Sequence, residues 1–150
     1  MDTMLLIAHS VLRYIILLLL LITIAKAFAG WFSGKFYTKA DKKYAFFAML
    51  SLHLQLLLGL TLYFTSIKVK AGLADFHSAM QNVELRFWTV EHISMMFIGI
   101  VLITLGVSLS TRTKLDTKKH KRVAIWFTLG LLIILSAMPL PYSKVPRPWF

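Results

Sequence analysis

Four long apolar runs, covering residues 4–30, 44–64, 88–109 and 123–140, alternate with short polar connections along the chain. Each run holds roughly 18–27 residues, enough at ~1.5 Å rise per residue to cross a hydrocarbon core ~30 Å thick. The connections are too short to fold into a second domain. The pattern predicts an all-α protein: one integral membrane domain over residues 1–150, built as a four-transmembrane-helix antiparallel bundle. Asp2 and Thr3 stand where the first helix would be capped, Gly30 and Gly34 mark its exit, and Asp41 is placed to cap the second. Pro139 and Pro141 end the fourth helix, and Pro146 and Pro148 keep the tail extended. Residues 71–85 carry the weak pattern of a short interfacial helix. Trp31, Tyr63, Trp88, Trp126, Tyr142 and Trp149 cluster near the ends of the runs, where aromatic anchors meet the membrane interface.

Composition agrees with lipid as the solvent. Of 150 residues, 58% are hydrophobic, and the mean hydropathy is +0.72. A soluble domain of this length cannot bury so much apolar surface. Ala27-Phe28-Ala29 resembles a signal-peptide cleavage site, but no Lys or Arg precedes the run and the run exceeds a signal core of ~7–15 residues. It reads as a retained first membrane helix.

The net charge of +11 points to a membrane surface because of its distribution. Lys26, Lys35, Lys39, Lys42 and Lys43 lie at one connection, and Arg112, Lys114, Lys118, Lys119, Lys121 and Arg122 at another, so 11 basic residues share one side. Lys68, Lys70, Arg86, Lys144 and Arg147 make 5 on the other. Positive loops stay cytoplasmic, which places both termini on the outer (periplasmic) side of a bacterial inner membrane. The lipid bilayer is the expected partner of the basic loops, and nucleic acid is not. Cysteine is absent, which removes thiolate metal sites and covalent c-type haem attachment.

Ionisable side chains inside hydrocarbon are costly and need partners. His9 lies five residues into the first run, ~8 Å deep, and His92 four residues into the third from the same outer side, so their depths are similar. Two axial ligands on opposite faces of one iron require such a match, and a single non-covalent haem b is the most economical partner. Trp88, His92, Met95, Met96, Gly99, Ile103 and Gly106 recur at helical spacing. The glycines leave room for a flat macrocycle or for a close helix, and methionine fills irregular space. Arg13, one turn below His9, pairs with Glu91, hydrogen-bonds a haem propionate or snorkels outward. His53, with Ser51, Gln55 and Gly59, lies in the polar portion of helix two. It is a packing histidine, a possible second cofactor site, a quinone or proton site, or an alternative axial ligand. His77 and His120 read as solvated loop residues.

The pattern resembles a group of small four-helix membrane b-type cytochrome-like proteins that includes the HemJ-type protoporphyrinogen oxidases and copper-resistance-D-like proteins. The likeness is carried by Leu6-Ile7-Ala8-His9, by Leu57-Leu58-Gly59-Leu60-Thr61-Leu62, and by Trp88-Thr89-Val90-Glu91-His92. It implies a haem near the outer ends of helices one and three, touched by His9 and position 92. The oxidase branch has lysine where this chain has His92, and its Asn-Glu-x-Pro segment is replaced by Ala124-Ile125-Trp126-Phe127.

Two histidines make a six-coordinate site suited to passing single electrons. The leading expectation is therefore a haem-holding electron relay, a subunit or redox partner of a larger membrane complex. Arg13, Arg86, Lys68 or Arg147 would neutralise the propionates. The alternatives are a haem-biosynthetic oxidase, a non-catalytic structural subunit, and copper handling through His92, Met95 and Met96.

Overall fold

The computed structural model describes residues 2–139 together with Val145. Leu140, Pro141, Tyr142, Lys144, Pro146, Arg147, Pro148 and Trp149, which the sequence assigns to the end of the fourth span, the tail, an interface anchor or a propionate partner, lie outside the described residues. Among the described residues every regular element is helical: α1 (Asp2–Ser33), α2 (Lys39–Thr65), α3 (Ile67–Ala74), α4 (Phe76–Gln81), α5 (Val83–Arg86), a π-helical turn (Phe87–Glu91), α6 (His92–Thr111) and α7 (Asp116–Ser136). Three helical stretches, Thr3–Ser33, Lys39–Thr65 and Val83–Thr111, are long and apolar enough to cross a membrane. In α7 the apolar part begins after Arg122 and the helix stops at Ser136, so residues 123–136 cover only ~21 Å at ~1.5 Å per residue.

Local chemistry accounts for the helix boundaries. Gly34 adopts φ +64°, the left-handed conformation that glycine tolerates, and closes α1. Lys35 N–H then reaches back to the Gly30 carbonyl at 3.1 Å, a Schellman closure. Gly30 itself lies inside α1, not at its exit. The cap of α2 is Thr38, one turn before Asp41. The Asp41 amide donates to Thr38 Oγ1 at 3.2 Å and the Thr38 amide to Asp41 Oδ2 at 2.9 Å, a reciprocal capping box. Within the long helices, hydroxyls bond carbonyls one turn back: Thr23 to Leu19, Ser51 to Phe47, Thr104 to Ile100 and Thr128 to Ala124. Internal satisfaction of this kind leaves the hydroxyls needing no outside partner, which is what a span in hydrocarbon requires.

The four long helices form a ring of neighbours. α1 packs on α2 and α7, and α6 packs on α7 and α2, while α1 and α6 make no extensive contact with each other. α6 and α7 meet through small residues, as expected where lipid gives no hydrophobic drive between helices. A Cβ on Gly99 would meet Ile134 Cγ1 at 2.7 Å, and one on Gly106 would meet Trp126 Cβ at 2.8 Å. Gly99 and Gly106 therefore admit α7.

Both strongly basic connections come to the same end of the molecule. The His120 ring of α7 packs directly on Gly30 of α1, and Lys121 stands 5.2 Å over the Trp31 ring. His120 belongs to the second turn of α7 and is 2% exposed, so it is a buried helix residue and not a solvated loop residue. His77 does lie at the surface, in α4, against Gln81. The apolar core runs from Ala27, Ala45 and Val123 near the basic end through Leu20, Ala48, Ile103 and Phe127 to Ile16, Leu52, Ile100, Ile134 and Met138. These last five also line a cavity in the other half.

Candidate functional site

The cavity measures about 530 Å³ and is walled by α1, α2, the start of α3, the π-helical turn, α6 and the end of α7. His9 and His92 both line it, from the two helices that stand diagonally across the ring. Most of the wall is aliphatic, and Ser10, Arg13, Gln55 and Lys68 supply polar groups. The volume falls within the ~300–1,000 Å³ typical of small-molecule and cofactor sites.

His92 is held on three sides. Its Nδ1 donates to the Ala137 carbonyl at the end of α7, at 2.9 Å. A carbonyl can only accept, so the neutral ring carries its lone pair on Nε2, the arrangement found in metal-ligating histidines. The ring is flanked by Trp88 at 5.5 Å and Phe87 at 5.7 Å between centroids. The His92 amide bonds the Phe87 carbonyl, five residues back, so the π-helical turn runs directly into this residue. Such turns cluster at functional positions. This one is clamped from outside: Tyr63 of α2 donates its hydroxyl to the Thr89 carbonyl at 2.9 Å. Gly72 of α3 packs against the Thr89 hydroxyl so closely that no side chain would fit.

His9 is seated against α2. A Cβ at Gly59 would stand 3.1 Å from its Cε1 and 3.8 Å from its Nδ1, with Nε2 beyond 4 Å. The hydrogen at Gly59 is what makes room for this ring. One turn earlier on α2, Gln55 donates from Nε2 to the His9 carbonyl at 2.8 Å. That bond fixes the amide, leaving Oε1 as a buried acceptor without a protein donor. Gln55 is a site residue that the histidine pattern alone passes over. Its signal is a carboxamide in the middle of an apolar run, where each polar group needs a reason.

The other sequence candidates separate by position. Trp88, Met96 and Arg13 line the cavity with the two histidines, whereas Met95 does not. Arg13 donates to the Tyr14 hydroxyl at 2.9 Å and lies 4.7 Å over its ring. Glu91, one of the alternatives the sequence leaves for Arg13, pairs with Arg86 at 2.6 Å. Arg86 also donates to the Met80 carbonyl and is not in the cavity wall. Lys68 is in the wall and pairs with Glu84. His53 points its Nδ1 at the Met49 carbonyl of its own helix, 2.8 Å away, and lies outside the cavity. Among the described residues no group of three or more His, Asp or Glu side chains gathers as a metal cage.

No family model, curated protein or solved structure matches the chain.

Proposed function

We propose that the protein is a multi-pass membrane protein that holds one non-covalent haem b in the cavity and relays single electrons, with His9 and His92 as axial ligands. The observation that carries this reading is the pairing of two imidazoles from diagonal helices in one aliphatic cavity, one ring fixed by a backbone carbonyl so that Nε2 is the basic nitrogen. The residues fit the group: the lining is apolar, Gly59 leaves space beside the His9 ring, and Met96 and Trp88 supply soft and aromatic contact. When bound, such a haem would supply reversible one-electron chemistry, with His9 and His92 as the residues that would hold it. Gln55 steadies the α1 backbone at His9, the π-helical turn and Ala137 steady His92, and Lys68 offers a cation to a propionate at the cavity rim.

In this reading α7 is the fourth crossing, its short apolar part extended by basic side chains that snorkel from the first turns to the headgroups. The basic end faces the cytoplasm of a bacterial inner membrane, and the cavity opens toward the outer side. Its partner is a larger membrane complex or a redox carrier such as a quinone.

The test is optical. Protein extracted in mild detergent is reduced with dithionite, and the expected result is the sharp band of bis-histidine haem. His9→Ala and His92→Ala should each abolish the six-coordinate spectrum. A protein that is colourless after gentle extraction and takes up no added haem refutes the reading.

A further inference from the structure

A second polar site lies at the basic end, and it does not depend on the haem reading. His120 is 2% exposed and is wedged between Gly30, Tyr37 and the α1–α2 connection. Its Nε2 approaches the Phe36 carbonyl at 3.4 Å, a long contact that still makes Nε2 the donor. Nδ1 is then the acceptor, and it is buried with no hydrogen-bond partner in the protein. The His120 side chain also borders a small void of about 10 Å³, lined by Thr23, Lys26, Tyr37, Asp41 and Tyr44 among others. That is the room one water needs.

The polar groups around the void leave the matching vacancies. Thr23 spends its hydroxyl hydrogen on the Leu19 carbonyl. The Tyr37 hydroxyl bonds Ser110. Asp41 takes both Thr38 donors on Oδ2, which leaves Oδ1 toward Lys26 at 3.6 Å, too far for a direct hydrogen bond. The two atoms are near enough for a water lying to one side of them, in the void, to reach both.

We infer that this void is a single-water site. The water donates one hydrogen to His120 Nδ1 and the other to Asp41 Oδ1, and accepts one from Lys26 Nζ. Three hydrogen bonds are the usual complement of a buried water. The bridge ties α7 to α1 and α2 at one point. It also makes an unbroken hydrogen-bonded path from the buried ring to Lys26, whose side chain is 42% exposed.

The experiment is magnetic resonance on the full-length protein in lipid nanodiscs with ¹⁵N-labelled histidine, His120 being assigned by its loss in His120→Asn. The expected result is a transfer peak from a water proton to His120 Nδ1, with the nitrogen shift of a hydrogen-bonded acceptor. A bare lone-pair shift with no water peak overturns the inference. So does a direct peak from the Lys26 ammonium or the Tyr44 hydroxyl. Ala27→Val, which adds bulk at the void wall, should remove the water peak. Persistence of an unchanged peak in that folded variant also overturns it, because the proton would then come from elsewhere. If the variant fails to fold, the parent spectrum decides alone.

Discussion

Gly99 and Gly130 cross backbone to backbone. A Cβ on Gly130 would stand 2.9 Å from the Gly99 carbonyl oxygen, and one on Gly99 would stand 3.1 Å from that of Gly130. Two turns from this crossing, back along α6 and onward past the end of α7, are His92 and Ala137, the pair joined by the ring hydrogen bond. The closest approach of the two helices thus sets the register in which the carbonyl meets the imidazole.

Gly130→Val should therefore act at two places. Overpacking this crossing is expected to cost about 1–3 kcal/mol, measured as a shift in the unfolding midpoint in mixed micelles titrated with sodium dodecyl sulfate. The same displacement should loosen His92 and broaden the spectrum of any haem it ligates. Gly130→Ala should do both to a smaller degree. Parent-like stability in the valine variant would show that α6 and α7 have slack at this crossing.

Gly59→Ala and Gly59→Val probe the seat of His9. The alanine methyl would sit 3.1 Å from Cε1 of the ring, tight enough to turn the imidazole by a few tenths of an ångström without unfolding the helix. The proposed haem protein should then keep its pigment but change its low-spin electron paramagnetic resonance signature. Valine should empty the six-coordinate state. Spectra identical to the parent in both variants would place the ring away from the iron.

Much of this arrangement is written in the sequence and some is not. Runs 4–30, 44–64 and 88–109 read as spans because their length and hydropathy have no soluble explanation, and three helices of spanning length stand there. Equal depth on the first and third runs is necessary for a shared site and not sufficient for one; in the structure both His9 and His92 line the cavity. The start of α7 is not legible as helix because Asp116–Arg122 is polar in composition, yet it forms about two helical turns in which Lys118 and Lys121 are exposed and His120 is buried. On a stripe with His92, Gly99 and Gly106 read from the sequence as room for the cofactor, whereas both lie against α7; a missing side chain looks the same whether a helix or a macrocycle fills the space. The polar portion of α2 divides for a similar reason: Ser51 and His53 serve their own helix, and Gln55 and Gly59 serve α1. Spacing cannot tell those two uses apart.

Thr38→Ala should destabilise the protein by ~0.5–2 kcal/mol, the cost of losing an N-cap hydroxyl. Thr38→Ser keeps the oxygen and should stay close to the parent. Thr38 also donates its hydroxyl to Asp41 at 2.7 Å, and Asp41 faces Lys26 at 3.6 Å, so the loss should loosen the α1–α2 connection as well as the first turn of α2. Amide hydrogen exchange would register it as faster exchange at residues 39–42. Unchanged exchange there would mean that packing alone holds the turn.

Tyr37 makes stability depend on pH in the alkaline range. Burial pushes its phenol up from 10.0 to about 12; the hydrogen bond with Ser110 works against that shift, and the Asp41 carboxylate adds to it. Below pH 10 the phenol is protonated in folded and unfolded chains alike, and its contribution is fully present. Between pH 10 and about 12 the folded chain keeps the proton that the unfolded chain has released, so stability falls as pH rises. The comparison between parent and Tyr37→Phe isolates this phenol from everything else that changes with pH. The variant should lose less stability than the parent from pH 10 to 12, read as unfolding midpoints in the same detergent. Parallel curves would mean that the Tyr37 hydroxyl reaches water in the folded protein.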